Sequence, residues 1–197
     1  MTTTPETNAP DPAEFDFEAW IQDAKLPEAS CTVYKRGDLV AQIDDLARQI
    51  KIETDALRGE MVSGGSPALS SLIKEREKLL KAFAASEMTF YLRALPSAKL
   101  VEIARAHETP TDATKEVRMQ KQVELNRELL AASVIGLASP RLARRDLDMT
   151  PALVAALEQK IGAAQLTQLM LTRQSVQNDA PRPDADFLPG PSGTSQS

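Results

Sequence analysis

The sequence predicts a mainly α fold: a helical domain carrying a protruding antiparallel helical hairpin, rooted in a small two-stranded antiparallel β element, between disordered termini. Three observations lead there. Apolar residues recur at alternating steps of three and four through most of the interior, the spacing of one helix face. Aromatic residues are 4% of the 197, against 42% hydrophobic overall, so a core must be built from Leu, Ile, Val and Ala, which suits helices better than a β-sandwich. Only Ser30 to Arg36 and Met88 to Ala94 carry the β-branched and aromatic mix of a half-buried strand.

Taken in order, residues 1 to 13 are polar and Pro-containing without apolar periodicity and read as a disordered leader. Phe15, Phe17, Trp20 and Ile21 then form a small apolar cluster able to make one helical turn on the body. The helical domain spans 14 to 176. Within it the hairpin covers 38 to 85: Leu39, Ile43, Leu46, Ile50 and Leu57 line one helix, Gly64-Gly65-Ser66-Pro67 stops it, and Leu69, Leu72, Ile73, Leu79, Leu80 and Phe83 line the next. Ser66 is placed to cap that second helix with Pro67 in its first turn. Asp44 to Arg48 and Glu77 to Lys81 are spaced as outward i,i+4 ion pairs.

The C-terminal helical part, 97 to 176, opens with a helix that Ser97 can cap, using Leu100, Ile103 and Ala104 and ending near His107. After a turn at Thr109 to Asp112, Met119, Val123, Asn126, Leu130 and Val134 share one face of a long helix, which Gly136 to Pro140 breaks. Thr150-Pro151 begins another, with Val154, Leu157 and Ile161 inward and Gly162 as a left-handed C-terminal residue. Leu166, Leu169, Met170 and Arg173 belong to a last helix, and the Pro/Gly/Ser-rich tail 177 to 197 reads as disordered.

The chemistry-bearing residues are few. One His and one Cys, His107 and Cys31, give no metal-ligand spacing and no Cys-His pair, and no phosphate-loop, dinucleotide or nucleophile-elbow pattern occurs. No catalytic residue, cofactor or metal is therefore expected, and His107 reads as an exposed helix end. The net charge of −5 is uneven: residues 1 to 30 hold seven acids and one base, while 31 to 176 are near neutral. The short cluster Arg141, Arg144 and Arg145 reads as a solvated helix or loop surface, so no nucleic acid is expected. No apolar stretch is long enough to span a membrane. The candidate partner-binding residues are Asn126, a polar residue on an apolar face that fixes register or partner choice if buried, and Leu166, Leu169 and Met170 on a short helix beside a flexible tail.

The order of features over roughly residues 14 to 178 resembles the tail assembly chaperones of long-tailed, siphovirus-type actinobacterial bacteriophages. The resemblance lies in F-D-F-x-A-W-I (Phe15 to Ile21), Leu26-Pro27, T-V-Y-x-R-x-D-L (Thr32 to Leu39), a strand into R-A-L-P (Arg93 to Pro96), a helix ending H-x-x-P (His107 to Pro110), and Asn126-Arg127-Glu128 leading an Ala-rich helix. Two further helices with V-x-x-L spacing and Asn178 complete it; Arg127 to Leu130 departs from the aromatic and Pro residues usual in the family at that point. The resemblance implies a chaperone that coats the tape measure protein, keeps it soluble and helps recruit tail tube protein in the host cytoplasm. It also implies absence from the mature virion and a longer product made by programmed frameshift. Self-association is a further possibility of such a role. A structural or scaffold protein of the virion and a helical nucleic-acid-binding regulator are the rival classes.

Overall fold

The computed structural model describes residues 16–59 and 66–179. The leader 1–13, Phe15, the Gly64-Gly65 turn and residues 180–197 of the expected tail lie outside them. Among the described residues there are seven helices and a single four-stranded antiparallel sheet of order β1-β2-β3-β4. The fold is thus mixed α/β, which corrects the expectation of a mainly α domain with a two-stranded element.

Strands β1 (Glu28–Tyr34) and β2 (Glu87–Arg93) pair antiparallel with Cys31 opposite Phe90 and Thr32 opposite Thr89. The overturned part lies downstream. Helix α5 (Lys115–Ser133) stops before Val134, and β3 (Val134–Ser139) and β4 (Leu142–Asp146) follow as a hairpin beside β2. Gly136, expected to break a helix, sits inside β3. A Cβ there would lie 2.8 Å from the Arg145 carbonyl oxygen, closer than carbon and oxygen tolerate. The Arg cluster is divided: Arg144 and Arg145 lie in strand β4, not in a helix or loop, while Arg141 lies in the turn before it. Four of the five β4 residues are exposed, the charged edge by which sheets avoid pairing with other chains.

The sheet is half-covered. Its inner face presents Cys31, Val33, Phe90, Leu92 and Val134 to helices α5, α6 (Pro151–Ile161) and α7 (Ala163–Asn178), whose Leu130, Val154, Leu166 and Leu169 close the core. The outer face carries the Thr32 and Thr89 hydroxyls 3.0 Å apart and Tyr91 beneath the Arg144 guanidinium, 4.2 Å from the ring centre. One-sided burial explains the alternation of buried and open residues along β1 and β2.

Helices α2 (Leu39–Gly59) and α3 (Pro67–Ala84) form the hairpin inserted between β1 and β2. At its root Tyr34 stacks on Phe83, ring centres 4.3 Å apart. Ser66 caps α3, accepting from the Leu69 amide at 3.3 Å, and Thr150 caps α6 in the same way at 3.2 Å. Burial falls away along the hairpin: Leu39, Ile43 and Leu46 are buried, whereas α3 has no buried residue. Arg48 pairs with Asp45, not Asp44, and no Glu77–Lys81 ion pair forms among the described residues. Gly162 between α6 and α7 has φ 82° and ψ 163°, outside the left-handed helical region expected and in one open essentially to glycine alone.

Helix α4 (Ser97–Ala106) begins after Pro96, and Ser97 is its first residue with no side-chain cap. Helix α1 (Phe17–Asp23) is capped by Asp16, and Phe17 and Trp20 stack on its open side at 5.9 Å.

Candidate functional site

The four candidate residues come from two distant helices, and three of them meet. Val123, Asn126 and Arg127 fall at i, i+3 and i+4 on α5, while Leu166 and Met170 are one turn apart on α7, so each set occupies one face. The two faces, with Glu158 of α6, line a cleft of about 190 Å³. This is below the roughly 300–1,000 Å³ of small-molecule sites, and suits an inserted side chain better than a cofactor. Leu169 does not line the cleft. It is 1% exposed and belongs to the core beneath the sheet.

The cleft has an apolar approach and a polar rim. Met119 and Val123, one turn apart on α5, are 61% and 45% exposed and lead towards Asn126. Asn126 is half-buried at the edge of that face, its Oδ1 accepting from Gln122 Nε2 at 3.1 Å. Arg127 Nη2 donates to Glu158 Oε2 at 2.8 Å and ties α5 to α6. Its buried Nε finds no acceptor among the described residues.

What fixes α7 against the sheet was not visible in the sequence. Gln165 Oε1 accepts from the Tyr34 amide at 2.6 Å, and its Nε2 donates to the Tyr34 carbonyl at 2.9 Å and to the Ile161 carbonyl at 3.0 Å. Gln177, assigned to the tail by composition, does the same for Leu95, at 2.8 and 3.2 Å. Each primary amide stands in for a neighbouring strand, satisfying both backbone groups of one residue. Gln at a helix position gives no such signal in sequence.

His107 is likewise not the open helix end expected. Its side chain is 12% exposed, with Nε2 2.5 Å from Glu128 Oε2 and Nδ1 4.0 Å from Glu124 Oε2, joining α4 to α5.

A larger hollow, about 840 Å³, lies beside the outer sheet face among Lys25, Leu26, Glu28, Arg93 and Arg144. Its floor is an ion triad: Glu28 accepts from Arg93 at 2.6 Å and from Arg144 at 3.0 Å. Those two hydrogen bonds, Arg93 first, hold the Glu28 carboxyl below its ordinary value. These groups already satisfy one another, so size alone does not make this hollow the better site.

Among the described residues no three His, Cys, Asp or Glu side chains are placed to hold a metal. No described helix is long and apolar enough to cross a membrane. Comparison with known proteins returns no matching family, no matching curated protein and no matching solved structure.

Proposed function

We propose that this protein is a phage tail assembly chaperone that binds the long apolar helices of a tape measure protein, keeps them soluble in the host cytoplasm and helps recruit tail tube protein. The observation that carries the reading is the exposed row Met119 and Val123 running into the Asn126, Leu166 and Met170 cleft. An amphipathic helix docks by laying successive apolar residues into such a groove. Each exposed aliphatic residue it covers contributes non-directional burial of about 25 cal/mol per Å², which tolerates the varied sequence of a long client. The half-buried Asn126 and the Arg127–Glu158 pair supply the polar rim. The naming of the client rests on the resemblance over residues 14 to 178, from T-V-Y-x-R-x-D-L to the Ala-rich helix after Asn126.

The engagement of Arg144 by Glu28 and Tyr91 leaves less positive charge for phosphate than the Arg cluster offers on paper, which favours a protein client over nucleic acid. The test is a pull-down of tape measure fragments by wild type and by a Val123→Glu, Asn126→Arg variant. Both positions lie at the surface or cleft edge, so the fold is expected to persist by circular dichroism while capture falls. Undiminished capture by a folded variant would exclude this cleft as the docking site.

A further inference from the structure

The two edges of the sheet are unlike. Edge strand β4 carries Arg144, Arg145 and Asp146, and its register against β3 slips between Leu137 and Ser139. Charges and bulges of that kind keep an edge from pairing with other chains. The opposite edge, β1, lacks both guards. Its seven residues pair with β2 in unbroken register, and its single charge, Glu28, is bound by Arg93 and Arg144.

Successive residues of a strand aim their backbone groups to opposite sides. The Pro27 carbonyl accepts from the Ala94 amide and the Lys35 amide donates to the Ser86 carbonyl, so the odd-numbered residues between them bond across to β2. The even-numbered ones, Glu28, Ser30, Thr32 and Tyr34, therefore turn N–H and C=O outward. At Tyr34 both groups are taken by the Gln165 amide. At Glu28, Ser30 and Thr32 neither group is bonded among the described residues. The open stretch has a stop at each end. Gln165 closes it beyond Thr32. At the other end Pro27 has no N–H, and the chain before it turns aside, with Ala24, Lys25 and Leu26 around the outer hollow beside Arg93 and Arg144. Ser30 is the midpoint.

We propose that the occupant of this edge is β1 of a second copy, running antiparallel about a two-fold axis beside Ser30 and making one sheet of two chains. In that register Ser30 faces Ser30, Glu28 faces Thr32, and Thr32 faces Glu28 of the second copy, each pair exchanging both backbone bonds. Every contact is thereby reciprocal, as an isologous interface requires. Between these pairs Ala29 faces Cys31, and Val33 faces Pro27 at a position where no N–H is needed. The pairing uses every open backbone group and no other. The next even residue, Tyr34, would face Leu26, and there Gln165 already stands. No like charges meet, because each Glu28 faces a threonine. A strand from another protein satisfies the same backbone groups only by chance of length, whereas a second β1 brings the same two stops in reverse, so the ladder ends together at both ends.

Sedimentation velocity of the full chain over micromolar concentrations is expected to show a dimer. Ser30→Pro deletes an outward N–H that no bond inside the chain uses, so circular dichroism is kept while the dissociation constant rises at least about tenfold. Should that variant fail to fold, Ser30→Lys decides: it replaces an exposed side chain and sets two ammonium groups opposite each other across the axis, weakening the dimer in the same direction. The register is read by disulfide formation in a Cys31→Ser background. Ser30→Cys places two Cα atoms about 5.5 Å apart, within the span of a disulfide, and should crosslink. Thr32→Cys places them about 14 Å apart and should not. A monomeric wild type, a dimer indifferent to the Ser30 changes, or a dimer crosslinked through position 32 and not through position 30 overturns the proposal.

Discussion

Removing the Gln165 side chain tests whether α7 is held to the sheet by side-chain amides. Gln165→Ala deletes three hydrogen bonds of 2.6, 2.9 and 3.0 Å and leaves both backbone groups of Tyr34 without their partner. At about 0.5–1.5 kcal/mol each, moderated because water reaches this partly buried edge, the loss comes to about 2–3 kcal/mol. Gln177→Ala deletes only two and should cost about 1–2 kcal/mol. The two sites are twelve residues apart on one helix, about 18 Å, so the double variant should show the sum. Gln165→Glu keeps the acceptor for the Tyr34 amide but turns a carboxylate on two carbonyl oxygens, so it should be no better than alanine at neutral pH. Urea unfolding followed by circular dichroism gives the free energies, and amide exchange at Tyr34 gives the local effect. A loss below about 0.5 kcal/mol for Gln165→Ala, with Tyr34 still protected, would show that the Gln165 amide does not hold α7 to the sheet.

Two glycines should fail for different reasons. Gly162→Ala should cost about 1–3 kcal/mol from backbone conformation alone, since an added Cβ meets nothing within 4 Å; Gly136→Ala should cost a similar amount by pushing β4 off β3, seen as faster exchange confined to those strands. Leu169→Ala, at 1% exposure, should lose about 2–5 kcal/mol in chemical unfolding. For Glu28 the folded value lies below the ordinary 4.5 because Arg93 and Arg144 donate to the carboxylate. Its contribution is therefore complete above pH 4.5 and is lost as pH falls through the lowered folded value. Glu28→Gln should flatten that part of the stability profile, and an unchanged acid limb would count against the triad.

The helical stripes were legible because burial on one face leaves a period: Leu39, Ile43 and Leu46 are the buried root of α2, and Val154 and Leu169 are core. Ser66 was legible as a cap because a hydroxyl before a Pro-started helix has few other uses, and Thr150-Pro151 was legible as a helix start. Strands β3 and β4 were not. Val134 continues the α5 spacing, Gly136 reads as a breaker, and the β4 residues Ala143, Arg144 and Arg145 show no apolar alternation because that edge faces solvent. Two neighbours already in place, Phe90 and Leu92, decide that Val134 is strand, an effect of tertiary context that no local window contains. For the site, helix periodicity puts Asn126 with Val123, and Leu166 with Met170, on shared faces. That α5 and α7 meet depends on β3 and β4, so Leu169 could not be told apart from its cleft-lining neighbours. Gln165, Gln177 and His107 were missed because their partners are backbone groups or carboxylates on other elements.

The proposed chaperone role is tested by co-expression of the tape measure protein with and without this chain, with the soluble fraction of the client as the readout. The client is expected to be largely insoluble alone, to become soluble and co-purify with the wild-type chain, and to return to the pellet with a folded Val123→Glu, Asn126→Arg variant. A tape measure protein equally soluble without its partner, or one never recovered in complex with it, would contradict the assignment.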